Sequence, residues 1–161
     1  MNPVNHTGPA AFTLFVAAVF QLLPVPGDWL LWKPNFLLLT VIAWILLEPN
    51  QFGLVFAAIA GLLADVLFRN LFGQYMLVFA LCGYVLYLFS RRVTHFSILH
   101  QALLVMVMVI FVEFIQSIFL TVRNIPVNWK HLPAMALVSG LIWPLVFISI
   151  DKLHRSQLQH H

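Results

Sequence analysis

The stretch from Gly53 to Gly73, GLVFAAIAGLLADVLFRNLFG, constrains this chain more than any other. Written as a helix, Gly53, Ala57, Gly61, Asp65 and Arg69 recur every four residues and form one ridge, with Ala60 and Ala64 beside it. Small side chains on a ridge admit a second helix backbone to van der Waals contact. Between helices in lipid, that contact matters because hydrophobic drive is weak there. The ridge therefore predicts a packed neighbour, and it aims a carboxylate, Asp65, at the same seam. A carboxylate in such a place is expensive unless it is paired or used. Three roles fit: pairing with Arg69 one turn on, bracing the turn before Gly73 through backbone amides, or meeting a cation on a partner. The inward, small-residue face favours bracing.

Composition places the ridge in a bilayer. Of 161 residues, 62% are apolar and 8% are charged, against roughly 25% charged in ordinary soluble domains. The expectation is an all-α polytopic membrane protein of one transmembrane domain, residues 1–155, followed by a tail at 156–161. His160 and His161 end the chain as an expression tag would and are set aside. The first ten residues lack Lys and Arg, and no small-residue cleavage pattern follows the first apolar run, so the first helix is expected to persist. The lone Cys82 offers neither a disulfide nor a thiolate cluster.

Six transmembrane helices are expected in one bundle, at about 11–24, 29–47, 51–68, 73–90, 102–121 and 133–150. The second needs its extension. Its uninterrupted apolar run, Phe36 to Leu47, reaches only about 18 Å at 1.5 Å per residue, and a hydrocarbon core is about 30 Å thick. Reaching back to Trp29 supplies the length, with Lys33 snorkelling and Pro34 starting or kinking the helix. Trp143-Pro144 predicts a kink in the sixth helix. Six spans put both termini on one side. Arg91, Arg92, Lys152 and Arg155 then face Lys33, Arg69, Arg123 and Lys130 across the membrane, a tie by positive-inside counting. The pairing of the first set beside well-formed helix ends favours cytoplasmic termini.

Glu113 is the most deeply placed charge, with Gln116 and Ser117 one turn on along the same face. It reads as a buried polar group that pins packing, the functional alternative being a proton or ion site. No zinc-binding His-Glu-x-x-His, no Gly-x-Ser-x-Gly nucleophile, no phosphate-cradling glycine loop and no paired intramembrane aspartates are present. No cofactor, no metal and no catalysis are expected.

Several segments, taken in order, resemble one family. Trp32-Lys33-Pro34-Asn35 precedes an apolar helix containing Trp44. Gly61-x-x-x-Asp65 follows, with Gly73 eight residues on, then Gln101-Ala-Leu-Leu-Val and Ser139-Gly140-Leu141-Ile142-Trp143-Pro144. Together these look like MreD, the rod shape-determining membrane proteins of bacteria, from about residue 14 to 152. Where most members carry arginine before the proline that Pro34 matches, this chain has Lys33, which keeps the charge and loses the bidentate geometry. The resemblance implies an inner-membrane scaffold that binds MreC and, through it, the actin-like MreB, the glycosyltransferase RodA and its transpeptidase partner, directing peptidoglycan synthesis. It also implies helices arranged as in the substrate-binding subunits of energy-coupling-factor transporters.

A scaffold should offer apolar grooves and no closed polar pocket. A vitamin-capture subunit, the alternative, needs a polar cavity at the outer side.

Overall fold

The computed structural model describes residues 7–24, 27, 33–68, 73–93, 97–127, 129 and 131–159. These form six helices: α1 (Thr7–Leu22), α2 (Phe36–Leu47), α3 (Leu54–Leu67), α4 (Gln74–Val93), α5 (Ile98–Val122) and α6 (His131–Gln159). No strand occurs among the described residues.

The region of the second helix is described only from Lys33, just before the proline where a start or a kink was expected. It begins at Phe36, while residues 33–35 are non-helical and the stretch 28–32 lies outside the described residues. Two local effects set this start. Pro34 biases Lys33 away from helical geometry, and Asn35 caps the helix, its Oδ1 accepting from the Leu38 amide at 3.2 Å. All ten residues from Leu37 to Leu46 are buried. A helix apolar all round belongs inside, and α2 touches each of the other five helices. It is the central post of the bundle.

Helices α3 and α4 pair closely, and the small-residue ridge explains how. Ala57, Ala60, Gly61, Ala64 and Asp65 are the buried residues of α3. A Cβ on Gly61 would lie 2.5 Å from the Tyr75 carbonyl oxygen and 2.6 Å from Met76 Cα, inside the backbone of α4. One turn further along the seam, Gly83 of α4 faces Ala57, leaving no room for a Cβ of its own. Glycine is used on both helices where the backbones meet.

Helix α6 runs to Gln159, nine residues past its expected end at 150, because no Gly or Pro interrupts the sequence there. Pro144 sits inside it without ending it. Helices α5 and α6 are each long and apolar enough to cross a membrane; at 25 residues the apolar stretch is about 37 Å long. Large apolar side chains stand exposed on every helix except α2, among them Phe15, Val55, Leu77, Leu99 and Leu141. That surface suits lipid, and the chain is a membrane protein.

Candidate functional site

Asp65 is 1% exposed and is fully engaged. Its Oδ2 accepts from the amides of Gly73 at 2.9 Å and Met76 at 3.1 Å, and its Oδ1 from the amide of Tyr75 at 2.8 Å. Helix α4 starts at Gln74, so these donors belong to its first turn, where amides have no partner within the helix. A side chain on α3 thus caps α4, and its negative charge faces the positive end of the helix dipole. Gly73 takes φ +101°, a left-handed conformation that lets the chain turn into the cap. Of the three roles the sequence allows, the geometry supplies bracing. Arg69, the candidate ion-pair partner, lies outside the described residues.

The approach to α2 brings together residues far apart in sequence. Asn35 Nδ2 donates to Glu113 Oε1 at 3.4 Å, joining the start of α2 to α5. Both are buried. Lys33 donates from its ammonium to the carbonyls of Gln21 and of Leu23, the latter at 2.8 Å, so it closes the C-terminal end of α1. A cation is favoured at that end of a helix dipole, and a rotatable ammonium reaches two carbonyls without a guanidinium fork. The Gln21 side-chain oxygen accepts from the Phe36 amide at 3.0 Å. Gln116 accepts from Gln74, which ties α5 to the start of α4.

Beside them lies a partly open polar chamber of about 210 Å³, lined by Gln21, Lys33, Asn35 and Glu113 together with Phe68, Tyr75 and Met135. The lining comes from the C-terminal ends of α1 and α3, the N-terminal ends of α2, α4 and α6, and the C-terminal half of α5. All lie at one end of the bundle. The scaffold reading expects no closed polar pocket, and this one is partly open: buried polar side chains that neighbour one another leave space between them.

The other end of the bundle has its own polar contacts. Trp44 Nε1 donates to Thr13 Oγ1 at 2.8 Å. Glu48, just after α2, lies 3.1 Å from His154 Nε2 on α6. Along the side, α1, α2 and α6 border an apolar groove of about 350 Å³, with Phe12, Val16, Phe20, Phe36, Ile142 and Leu145 among its walls. Trp143 is fully buried, its ring centroid 5.4 Å from that of Phe147.

The predicted site residues fall into two groups. Ala57, Gly61, Asp65 and Gly73 meet at the α3–α4 seam, with Gly53 capping the start of α3. Lys33, Asn35 and Glu113 meet at the chamber, with Pro34 buried beside them and Gln116 on the same face of α5. Trp143 and Pro144 join neither group. Sequence reasoning missed Gln21, Gln74, Tyr75, Glu48 and His154. Gln74 had a readable signal: a glutamine in an otherwise apolar helix faces a partner for the same reason Glu113 does. Glu48 and His154, 106 residues apart, had none.

The family model described as rod shape-determining protein MreD matches residues 9–153. The chain belongs to the MreD family. The rod shape-determining protein MreD of Haemophilus influenzae is 30% identical to it over 150 residues, covering 90% of each chain. No solved structure matches it. As an MreD-family protein it has a role in rod shape determination. Among the residues that carry the resemblance, Asn35 caps α2, Asp65 caps α4, and Trp143 is interior.

Proposed function

We propose that the chain is a non-catalytic scaffold of the bacterial cell-elongation complex, a single transmembrane domain that crosses the inner membrane six times with both termini in the cytoplasm. It docks MreC directly and, through MreC, serves MreB, RodA and the transpeptidase partner of RodA in directing peptidoglycan synthesis. Its helices take the arrangement of energy-coupling-factor substrate-binding subunits, and membrane lipids surround them. Family membership supports the setting. The observation that carries the docking role is the apolar groove between α1 and α6, floored by Phe36 and Thr40 of α2. Its walls suit the apolar face of a partner's transmembrane helix, and Ala17 at its base allows close approach.

A second reading, capture of a small molecule for a transporter, is favoured by the polar chamber. Complementation separates the two. Expressed in rod-shaped bacteria lacking their own MreD, the chain should restore rods of normal width. Round cells, despite normal insertion of the protein, would overturn the scaffold reading.

A further inference from the structure

The segment Ser139 to Pro144 carries part of the family resemblance, and within α6 it is set apart by its polar groups. Pro144 lies inside that helix and has no amide, so the carbonyl of Gly140 lacks the donor that an unbroken α-helix would supply. Ser139 and Trp143, one turn apart on the same face, are both 0% exposed, and Ser139 Oγ and Trp143 Nε1 find no hydrogen-bond partner among the described residues. Thr40, Thr121 and Ser149 each return their hydroxyl to a carbonyl of their own helix. Ser139 does not. Buried polar groups without partners cost free energy, so any movement here that satisfies them is favoured by what their burial now costs.

Helix α6 is held differently on the two sides of this segment. At Gly140 it lies against α5, where an added Cβ would stand 2.6 Å from Met106 Cγ. Beyond Pro144, Leu145, Val146, Ser149 and Ile150 form most of the α6 wall of the apolar groove. The far end is fastened to the end of α2: His154 Nε2 lies 3.1 Å from Glu48 Oε1, and the His154 ring meets that of Trp44 edge-on with centroids 6.1 Å apart. A pivot, a wall and a fastening follow one another along one helix.

We propose that α6 hinges between Gly140 and Pro144, its second half swinging between a closed arrangement, fastened by Glu48 and His154, and an open one in which the groove between α1 and α6 is wider. Proline is one of the few places where a helix bends sharply, and a few residues at a hinge absorb the displacement of a whole element. As the entrance for a partner's helix the hinge rests on the docking role; as a movement of the chain alone it does not, and it is tested without a partner.

The test places spin labels on the full-length chain in lipid nanodiscs, in a Cys82→Ala background, at Phe15→Cys on α1 and Ile148→Cys on α6, and reads their separation by double electron-electron resonance. A second pair, Phe15→Cys with Leu137→Cys, puts the α6 label before the hinge; all three positions are exposed. Two distances are expected for the first pair and one for the second. His154→Ala should at least double the share of the longer distance, and Pro144→Ala, which restores the amide, should leave only the shorter. If Pro144→Ala does not yield monodisperse protein, Ser139→Ala, which takes an unpartnered hydroxyl out of the closed packing, should reduce the longer share at least twofold. A single Phe15–Ile148 distance in both the parent and His154→Ala overturns the inference. So do two distances that Pro144→Ala or Ser139→Ala leaves unchanged, or a Phe15–Leu137 pair that divides in the same way. Round cells in the complementation assay with both distances present would instead strike the docking role and leave the hinge standing.

Discussion

Replacing Gly61 with alanine tests the α3–α4 seam with a single methyl group. The added Cβ would lie 2.5 Å from the Tyr75 carbonyl oxygen, 2.6 Å from Met76 Cα and 2.8 Å from Met76 N. Ordinary contact begins near 3.5 Å, so the helices must separate by about 1 Å. All three obstacles are backbone, and no rotamer change relieves them. Overpacking of this kind costs about 1–3 kcal/mol. The same separation stretches the three bonds from Asp65 to Gly73, Tyr75 and Met76, now 2.8–3.1 Å, beyond hydrogen-bonding range; losing even one adds about 1–3 kcal/mol because the amide is left buried. Against this, alanine is a better helix former than glycine by about 1 kcal/mol. The net expectation is a loss of about 2–4 kcal/mol, read as a lower midpoint of thermal unfolding in detergent. Gly8→Ala is the control: its Cβ meets nothing within 4 Å, and it should leave the midpoint unchanged or raise it. Because one displacement causes both penalties, Gly61→Ala should cost less when Asp65 is already alanine. A Gly61→Ala midpoint equal to that of Gly8→Ala would refute the reasoning.

Other substitutions probe the remaining contacts. Asp65→Ala strips an acceptor from three amides and should cost about 2–4 kcal/mol in the same unfolding assay. Asp65→Asn should cost less, about 1–2 kcal/mol, since its one oxygen can still serve Gly73 and Met76 while its amide faces the Tyr75 N–H. Trp44→Phe removes the donor to Thr13 from a fully buried ring and should destabilise by about 1–3 kcal/mol, with Thr13→Val in the Trp44→Phe background adding little. Glu48→Ala breaks the contact with His154 where Glu48 is partly exposed, and should shift stability by no more than about 1 kcal/mol.

The helices were legible where apolar runs met proline or glycine. The number of helices and the α3–α4 seam follow from such signals, because a four-residue recurrence of small side chains has one structural meaning in lipid. The start of α2 was left open between a helix beginning at Pro34 and one kinked there. Membrane thickness demanded a longer helix, while Pro34 and the Asn35 cap, which act locally, set the start at Phe36. A helix with ten consecutive buried residues has the other helices, not lipid, as its surroundings. The chamber was half legible. Glu113 announced itself as a charge in an apolar helix, but its meeting with Asn35, 78 positions away, is a product of the fold and leaves no local pattern. Asp65 was the reverse case: its small-residue face and the following turn pointed to the amides it accepts from.

Docking of a partner's membrane helix by this MreD-family chain is read out by quantitative affinity capture. The tagged chain would be expressed in rod-shaped bacteria, the membranes solubilised gently, and the captured proteins quantified by mass spectrometry. MreC is expected in near-equimolar amount. Leu145→Trp and Ser149→Trp, at exposed positions on the groove between α1 and α6, crowd it and should reduce MreC at least tenfold without lowering the yield of the chain. MreC at background level with the unaltered chain, or at undiminished level with the crowded groove, would contradict the account.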